Sequence, residues 1–206
     1  MIEDFRELTD FQLDVLREIG NIGAGNAATA LAQMVNHKIE MVVPRISILP
    51  FPEVADTLGG PEALVAGINL KVTGDVTGNM LFLLPIVSAG ILVDMLMGRP
   101  EGQTGTLEEM ERSALKEVGN ILSATFLGAL SMFTSLVMSP SVPSLAIDMA
   151  AALLSSVLSE LGEVGNHTLI IESTFVRDGC QVIGYFFLLP EPNSLDRILA
   201  ALGVNS

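Results

Sequence analysis

Glu18 and Asn21 lie three positions apart, which puts them about one turn from each other if the segment is helical. Asp14 then falls on the same narrow stripe of the helix surface. A carboxylate can hold a cationic group, and a carboxamide both donates and accepts hydrogen bonds. The pair is therefore suited to orienting a water molecule rather than deprotonating it. A single pair of this kind is more often a solvated helix face.

The same constellation occurs a second time. It lies 99 residues further along the chain and consists of Ser113, Glu117 and Asn120. Both copies keep the core Glu-x-Gly-Asn, although the turns that follow it differ. Asparagine and glycine are poor residues for a helix interior, so each copy lowers helix stability. An unfavourable core kept twice favours a functional role over a solvated face.

Two long helices are predicted to carry the two copies. Apolar residues recur every three or four positions, and the helices are predicted over residues 8–35 and 107–133. Thr9 or Asp10 is the expected N-cap of the first helix. Thr106 and Glu109 are expected to form a capping box at the start of the second.

Strands and shorter helices are predicted to follow each motif helix. The predicted hairpins are 66–84, turning at Gly74-Asp75, and 167–189, turning at Asp178-Gly179. Residues 86–97 and 195–202 are expected to form closing helices. Segment 39–49 reads as extended, and Pro44 within it indicates an edge strand or a bulge. Residues 146–161 are predicted to be an apolar helix without a counterpart in the first half, where 51–63 is rich in proline and glycine.

These elements divide the chain into two similar halves, about 1–100 and 106–206. Each half is too small to bury a sheet of its own, so we expect residues 1–206 to form one domain. The predicted fold class is α+β, with a mainly antiparallel sheet, two long motif helices and a pseudo-twofold axis between the halves. The polar, glycine-rich segment 98–105 is the expected link.

Composition limits the partners and the compartment. The formal net charge is −14, which disfavours nucleic acid and anionic membrane surfaces. One cysteine and two histidines offer no disulfide framework and no metal-ligand spacing. The acidic first ten residues do not resemble a secretory signal, so a cytoplasmic location is expected. The uncharged stretch 118–147 contains polar residues and lacks flanking basic clusters, which predicts a buried helix rather than membrane insertion.

The motif resembles a known family. The pattern Asp/Ser-x3-Glu-x2-Asn-x22-Pro is similar to that of the CheC/CheX/FliY phosphatases of bacterial and archaeal chemotaxis. Both halves match it in full, ending at Pro44 and Pro143. Two copies in one chain resemble the CheC branch more than the CheX branch, which carries one site.

The resemblance implies hydrolysis of the aspartyl phosphate on the response regulator CheY. It implies that Asn21 and Asn120 orient the attacking water and that Glu18 and Glu117 pair with the active-site lysine of the regulator. Asp14 and Ser113 are expected to make secondary contacts to that partner. The regulator brings its own magnesium, so no cofactor and no metal site are expected of this chain.

The resemblance also implies a second partner, the deamidase CheD. Asp148, in the predicted helix 146–161, is the candidate contact; the alternative is a carboxylate near the N-terminus of a core helix. A different function also stays open, that of a non-catalytic adaptor or flagellar-switch component. Gly23-x-Gly25-x-x-Ala28 superficially matches a dinucleotide fingerprint, but no strand is predicted before it.

Overall fold

The computed structural model describes residues 8–36, 38–161, 167–191 and 193–203. Six helices are found in these ranges: α1 Asp10–Val35, α2 Phe51–Thr57, α3 Ile86–Met97, α4 Glu109–Thr134, α5 Ala150–Leu161 and α6 Ser194–Ala201. Seven strands accompany them: β1 Glu40–Pro50, β2 Leu64–Gly74, β3 Gly78–Pro85, β4 Met138–Pro140, β5 Ser144–Met149, β6 His167–Arg177 and β7 Cys180–Pro190. The predicted long helices, hairpins and closing helices are thus present.

Helix α1 begins where its capping residues predict. The Thr9 hydroxyl oxygen accepts from the backbone N–H of Gln12, and the Gln12 side chain accepts in return from the Thr9 N–H, which makes a capping box. Leu8 and Leu13 belong to one apolar cluster beside it. Thr9 is therefore the N-cap. The helix ends at Val35, and its C-cap Asn36 has a left-handed backbone and donates its N–H to the Ala32 carbonyl.

Helix α4 begins differently from the prediction. The capping box of Thr106 and Glu109 is wrong, because the helix starts at Glu109 and its N-cap is Glu108. The preceding segment is held elsewhere: the Thr104 hydroxyl donates to the buried Asp94 carboxylate at 2.7 Å. Arg99 also pairs with Glu111 at 3.0 Å. The acidic residues of the first turn, Glu109 and Glu111, interact favourably with the positive end of the helix dipole. The helix starts without a side-chain cap.

All seven strands form one antiparallel sheet in the order β1-β6-β7-β3-β2-β4, with β5 pairing β2 next to β4. The strand region after each motif helix pairs with the hairpin of the other half: β1 pairs with β6, and β4 and β5 pair with β2. The two hairpins meet at β3 and β7 in the middle. The halves therefore interlock, and neither sheet segment is complete without the other repeat.

The prolines of the motif mark an irregularity in both halves. β1 is an edge strand, and its register with β6 shifts between Val42 and Arg45, around Pro44. At the equivalent place in the second half the strand is interrupted, so that β4 ends at Pro140 and β5 begins at Ser144. The prediction of an edge strand or a bulge at Pro44 is confirmed, because β1 lies at the sheet edge and its register shifts there.

The prediction for residues 146–161 is only partly right. Ala146–Met149 belong to β5, and the helix begins at Ala150. The register of β5 is set by β2, about eighty residues earlier in the chain, which local periodicity does not reveal. This helix also has a counterpart after all, because α2 follows β1 as α5 follows β5.

Helices cover both faces of the sheet. The largest apolar cluster lies under α1, α3 and α4, and a second cluster joins α2 and α5 to the opposite face. A Cβ atom at Gly23 would lie 3.1 Å from the Phe126 Cα, so this glycine permits the close approach of α1 and α4. The uncharged stretch 118–147 is divided among α4, β4 and β5. No helix in the described ranges is long and apolar enough to cross a membrane.

Candidate active site

The first motif copy lies on the outer surface of α1. Asp14, Glu18 and Asn21 are exposed, whereas Leu16 and Ile19 of the same turns are buried in the core. The buried apolar stripe anchors the helix. Beside it, Asp14, Glu18 and Asn21 form a polar line that faces outward. The spacing predicted from the sequence is therefore the spacing on the folded surface.

The second copy has the same arrangement on α4. Ser113 and Glu117 are exposed and Asn120 is half-buried, while Leu115 and Val118 are fully buried. The two helices pack side by side, and each presents its own polar line.

The glycine that precedes each asparagine lets its helix lie close to the sheet. A Cβ atom at Gly119 would come within 2.5 Å of the Ile68 Cγ2 atom, which excludes a side chain unless Ile68 moves. At Gly20 the nearest atom, of Val43, would be 3.8 Å away, an ordinary contact. Packing against the sheet therefore requires the motif glycine in the second copy, but not in the first.

In the first copy the asparagine is tied to the neighbouring strand. The Asn21 Oδ1 atom accepts a hydrogen bond from the Val43 N–H at 3.3 Å, in the irregular part of β1. Asp14 pairs with Arg17 at 2.7 Å, an exposed contact that contributes little to stability. Glu18 makes no ion pair with any residue that the structure describes.

In the second copy the motif residues line an open groove. The groove has a volume of about 420 Å³ and is lined by Ser113, Lys116, Glu117, Asn120, Pro140, Ser141, Val142 and Pro143. One wall is the interruption between β4 and β5, where the motif proline Pro143 lines the groove together with residues of the helix. Within the described ranges, no protein group hydrogen-bonds the Asn120 side chain. Its carboxamide is available to a water molecule or a partner.

Neither copy resembles a metal centre. Within the parts of the chain that the structure describes, no three or more His, Cys, Asp or Glu side chains are grouped closely enough to hold a metal ion. Each polar line contributes one glutamate and one amide, together with Asp14 or Ser113. Such a set can orient water and accept a positively charged group, but it lacks the carboxylate ligands of a magnesium site.

Asp148 lies away from both motif copies. It is an exposed residue of β5, two residues before α5 begins, and its carboxylate accepts from the Met149 N–H at 2.8 Å. It pairs directly with Val65, whose side chain belongs to the cluster under α2 and α5. Paired residues point to the same face of a sheet, so Asp148 belongs to the face opposite α1 and α4. The prediction that it lies within a helix is wrong.

Sequence reasoning missed the strand side of the groove. Lys116, Ser141 and Val142 line it together with the motif residues. The one signal for this wall was the proline 23 positions after each asparagine, which marks where the strand breaks beside the helix.

Comparison with known proteins identifies the family of this chain. A model of the CheC-like family matches residues 11–48 and 110–147, which run from each motif helix into the strand that follows it. Over 205 residues the chain is 40% identical to the CheY-P phosphatase CheC of Bacillus subtilis (strain 168), covering 98% of both chains. This chain belongs to the CheC-like family. The resemblance inferred from the motif is thereby confirmed.

Two further likenesses agree with this assignment. The flagellar motor switch phosphatase FliY of Bacillus subtilis (strain 168) is 31% identical over 120 residues, which are 58% of this chain and 31% of the relative. The crystal structure of Thermotoga maritima FliY superposes with a TM-score of 0.80 at 19% identity, covering 96% of this chain and 98% of that one. These matches confirm the duplicated α+β fold of the CheC-like family.

Proposed function

We propose that this chain is a phosphatase that hydrolyses the aspartyl phosphate of the response regulator CheY. The observation that carries the proposal is the solvent-accessible Glu/Asn pair, which is present at equivalent positions of α1 and α4 and lines a groove at the second position. The full-length relative that bears the name CheY-P phosphatase supports the choice of substrate. The two interlocked repeats act as one domain with two sites.

The asparagines serve to position water. An acyl phosphate is already activated, so its hydrolysis needs an in-line water rather than a strong base. The Asn120 carboxamide, which has no protein partner within the described ranges, can accept a hydrogen bond from that water. The Asn21 oxygen retains a second lone pair beside its bond to Val43, so it can do the same in a fixed orientation.

The glutamates dock the regulator. Glu18 and Glu117 are exposed one turn before the asparagines and can pair with the lysine of the regulator's active site. Asp14 and Ser113 extend the contact by a further turn. Magnesium is held by the regulator in this proposal, and the Glu/Asn lines supply no step that depends on a metal of their own. The reaction takes place in the cytoplasm.

A second partner, a CheD-type deamidase, is proposed for the opposite face. Asp148 is exposed there, in the strand that leads into α5. An exposed carboxylate suits a protein interface that includes a basic contact. CheY and CheD would then bind on different sides of the sheet.

A non-catalytic adaptor or flagellar-switch component is the alternative function. It is favoured by the tie between Asn21 and Val43, which occupies part of the first motif copy. An adaptor would bind phosphorylated CheY at one or both lines and leave its phosphate in place.

The decisive experiment measures phosphate release from purified phosphorylated CheY. We compare wild type with N21A, N120A and the double variant, and use N26A, an exposed asparagine of α1 outside the line, as the matched control. We expect the double variant to lose almost all activity and N26A to keep it. Wild type that binds phosphorylated CheY without accelerating phosphate release would establish the adaptor instead.

A further inference from the structure

Two large apolar side chains stand exposed at equivalent positions of the motif helices. Phe11 of α1 is 67% exposed and Met110 of α4 is 66% exposed. They are separated by 99 residues, the same offset as the motif residues. Each is the second residue of its helix, since α1 begins at Asp10 and α4 at Glu109.

The structure of each helix start does not account for these side chains. Capping of α1 uses Thr9 and Gln12, and the apolar contact beside it uses Leu8 and Leu13. Helix α4 has no side-chain cap, and Met110 lies outside the described core clusters. Single exposed apolar residues are common, but Phe11 and Met110 recur at the offset of the motif and lie at the start of the two motif helices.

Each side chain continues the polar line of its own helix. Phe11 precedes Asp14, Glu18 and Asn21 by three, seven and ten positions, a spacing that keeps all four residues on one face over about 15 Å. Met110 stands in the same relation to Ser113, Glu117 and Asn120. At the Asn120 end of the polar line on α4, the exposed Val142 lines the groove. The second line thus has an apolar side chain at both ends.

We propose that Phe11 and Met110 are apolar anchors that dock the phosphorylated response regulator, one at each site. This inference rests on the proposed function, because it takes the regulator as the occupant. The argument for that occupant is continuity: a partner whose phosphoryl group reaches Asn21 and whose lysine reaches Glu18 must lie along the same helix face as Phe11. Phe11 lies two turns of α1 before Glu18. The partner therefore supplies an apolar side chain at about that distance from its lysine.

The charges around the anchors fit the same partner. Asp10 and Asp14 flank Phe11, and Glu108 and Glu109 precede Met110. A basic residue of the partner and an adjoining apolar side chain would meet an acidic rim around an apolar centre, which is the usual organisation of a protein interface.

The test isolates one site at a time. Phe11→Gln is made in the N120A background, where only the first site works, and in the N21A background, where only the second works; Met110→Gln is made in the same two backgrounds. Glutamine removes the apolar contact, adds no charge and is a good helix former. V87Q and M132Q, at comparably exposed apolar residues off both lines, are the matched controls.

We expect each substitution to raise the KM for phosphorylated CheY about tenfold at its own site, with kcat within twofold, and to leave the other site unchanged. The control variants should match their backgrounds. An unchanged KM at the matching site overturns the anchor proposal. The proposed function is still supported in that case if wild type releases phosphate. Equal effects in both backgrounds also overturn it, because they indicate a general structural role. Absence of phosphate release by wild type removes the proposed function itself.

Discussion

The Val43 N–H donates to the Asn21 carboxamide oxygen at 3.3 Å, and this bond joins α1 to the shifted part of β1. The equivalent residues of the second repeat, Asn120 and Val142, do not make this bond. Val142 is 87% exposed instead and lines the open groove. Two copies of one motif therefore stand in different surroundings: the first asparagine is fixed by the strand, and the second is free to bind.

This difference predicts unequal effects on stability. Asn21→Ala removes a partly buried hydrogen bond worth about 1 kcal/mol and gains up to about 0.7 kcal/mol in helix propensity. Asn120→Ala gains the same propensity without losing a protein hydrogen bond. We expect N120A to be more stable than N21A by about 1 kcal/mol in urea unfolding followed by circular dichroism. Equal free energies of unfolding would show that the Val43 bond contributes nothing.

The motif glycines predict a second contrast. Gly20→Ala places its methyl group 3.8 Å from Val43, so the gain in helix propensity, about 1 kcal/mol, should stabilise the protein. Gly119→Ala places a methyl group 2.5 Å from the Ile68 Cγ2 atom, and we expect a net loss of about 1–3 kcal/mol from overpacking. Thermal unfolding of the two variants checks the opposite signs. A stabilised G119A would mean that Ile68 moves aside freely.

The sequence predicted the fold well where one segment determines its own structure. The repeat, the motif helices and both hairpins are signalled by local periodicity and turn residues, and Asp178-Gly179 adopts the left-handed backbone that such a turn requires. The local pattern predicts a helix for residues 146–149, whereas they form a strand that depends on β2, a distant partner. Helix α2 was missed although Pro52, its second residue, is a favourable helix-start signal.

The candidate site was partly predictable, because some of its residues lie within one helix. Glu18, Asn21 and their repeats occupy one helix each, so spacing alone places them on a common line. The groove wall around Ser141 and Val142, and the Val43 bond, arise where a helix meets a strand more than twenty residues later. Such contacts depend on the register of the sheet, which the sequence pattern does not determine.

Asp94 predicts an acid-sensitive contact between α3 and the segment that links the two halves. Burial would raise the pKa of this carboxyl group, but hydrogen bonds from the Thr104 hydroxyl and from the backbone N–H groups of Thr104 and Gln103 outweigh burial and lower the pKa below 3.8. The lowered pKa stabilises the fold above pH 3.8, and this contribution is lost as the pH falls through the folded-state pKa.

We expect D94N to be less stable than wild type at neutral pH and to lose less stability on acidification. T104V removes the hydroxyl donor and leaves the Asp94 pKa less depressed, so its acid-dependent loss of stability should be smaller than that of wild type and should be complete at a higher pH. Urea unfolding between pH 7 and pH 2.5 measures both effects. Parallel pH profiles for D94N and wild type would contradict a role for Asp94 in acid sensitivity.

Asp148 predicts that the two proposed partners bind independently, because its strand face lies opposite the motif helices. Charge reversal in D148K should abolish capture of CheD and leave phosphate release from phosphorylated CheY within twofold of wild type. D56K, at an exposed carboxylate of α2, is the matched control and should retain both activities. In wild type, CheD and CheY carrying a stable phosphate analogue should co-elute with the chain in one complex. Mutual exclusion of the two partners would mean that their footprints overlap, and unchanged CheD capture by D148K would remove Asp148 from that interface.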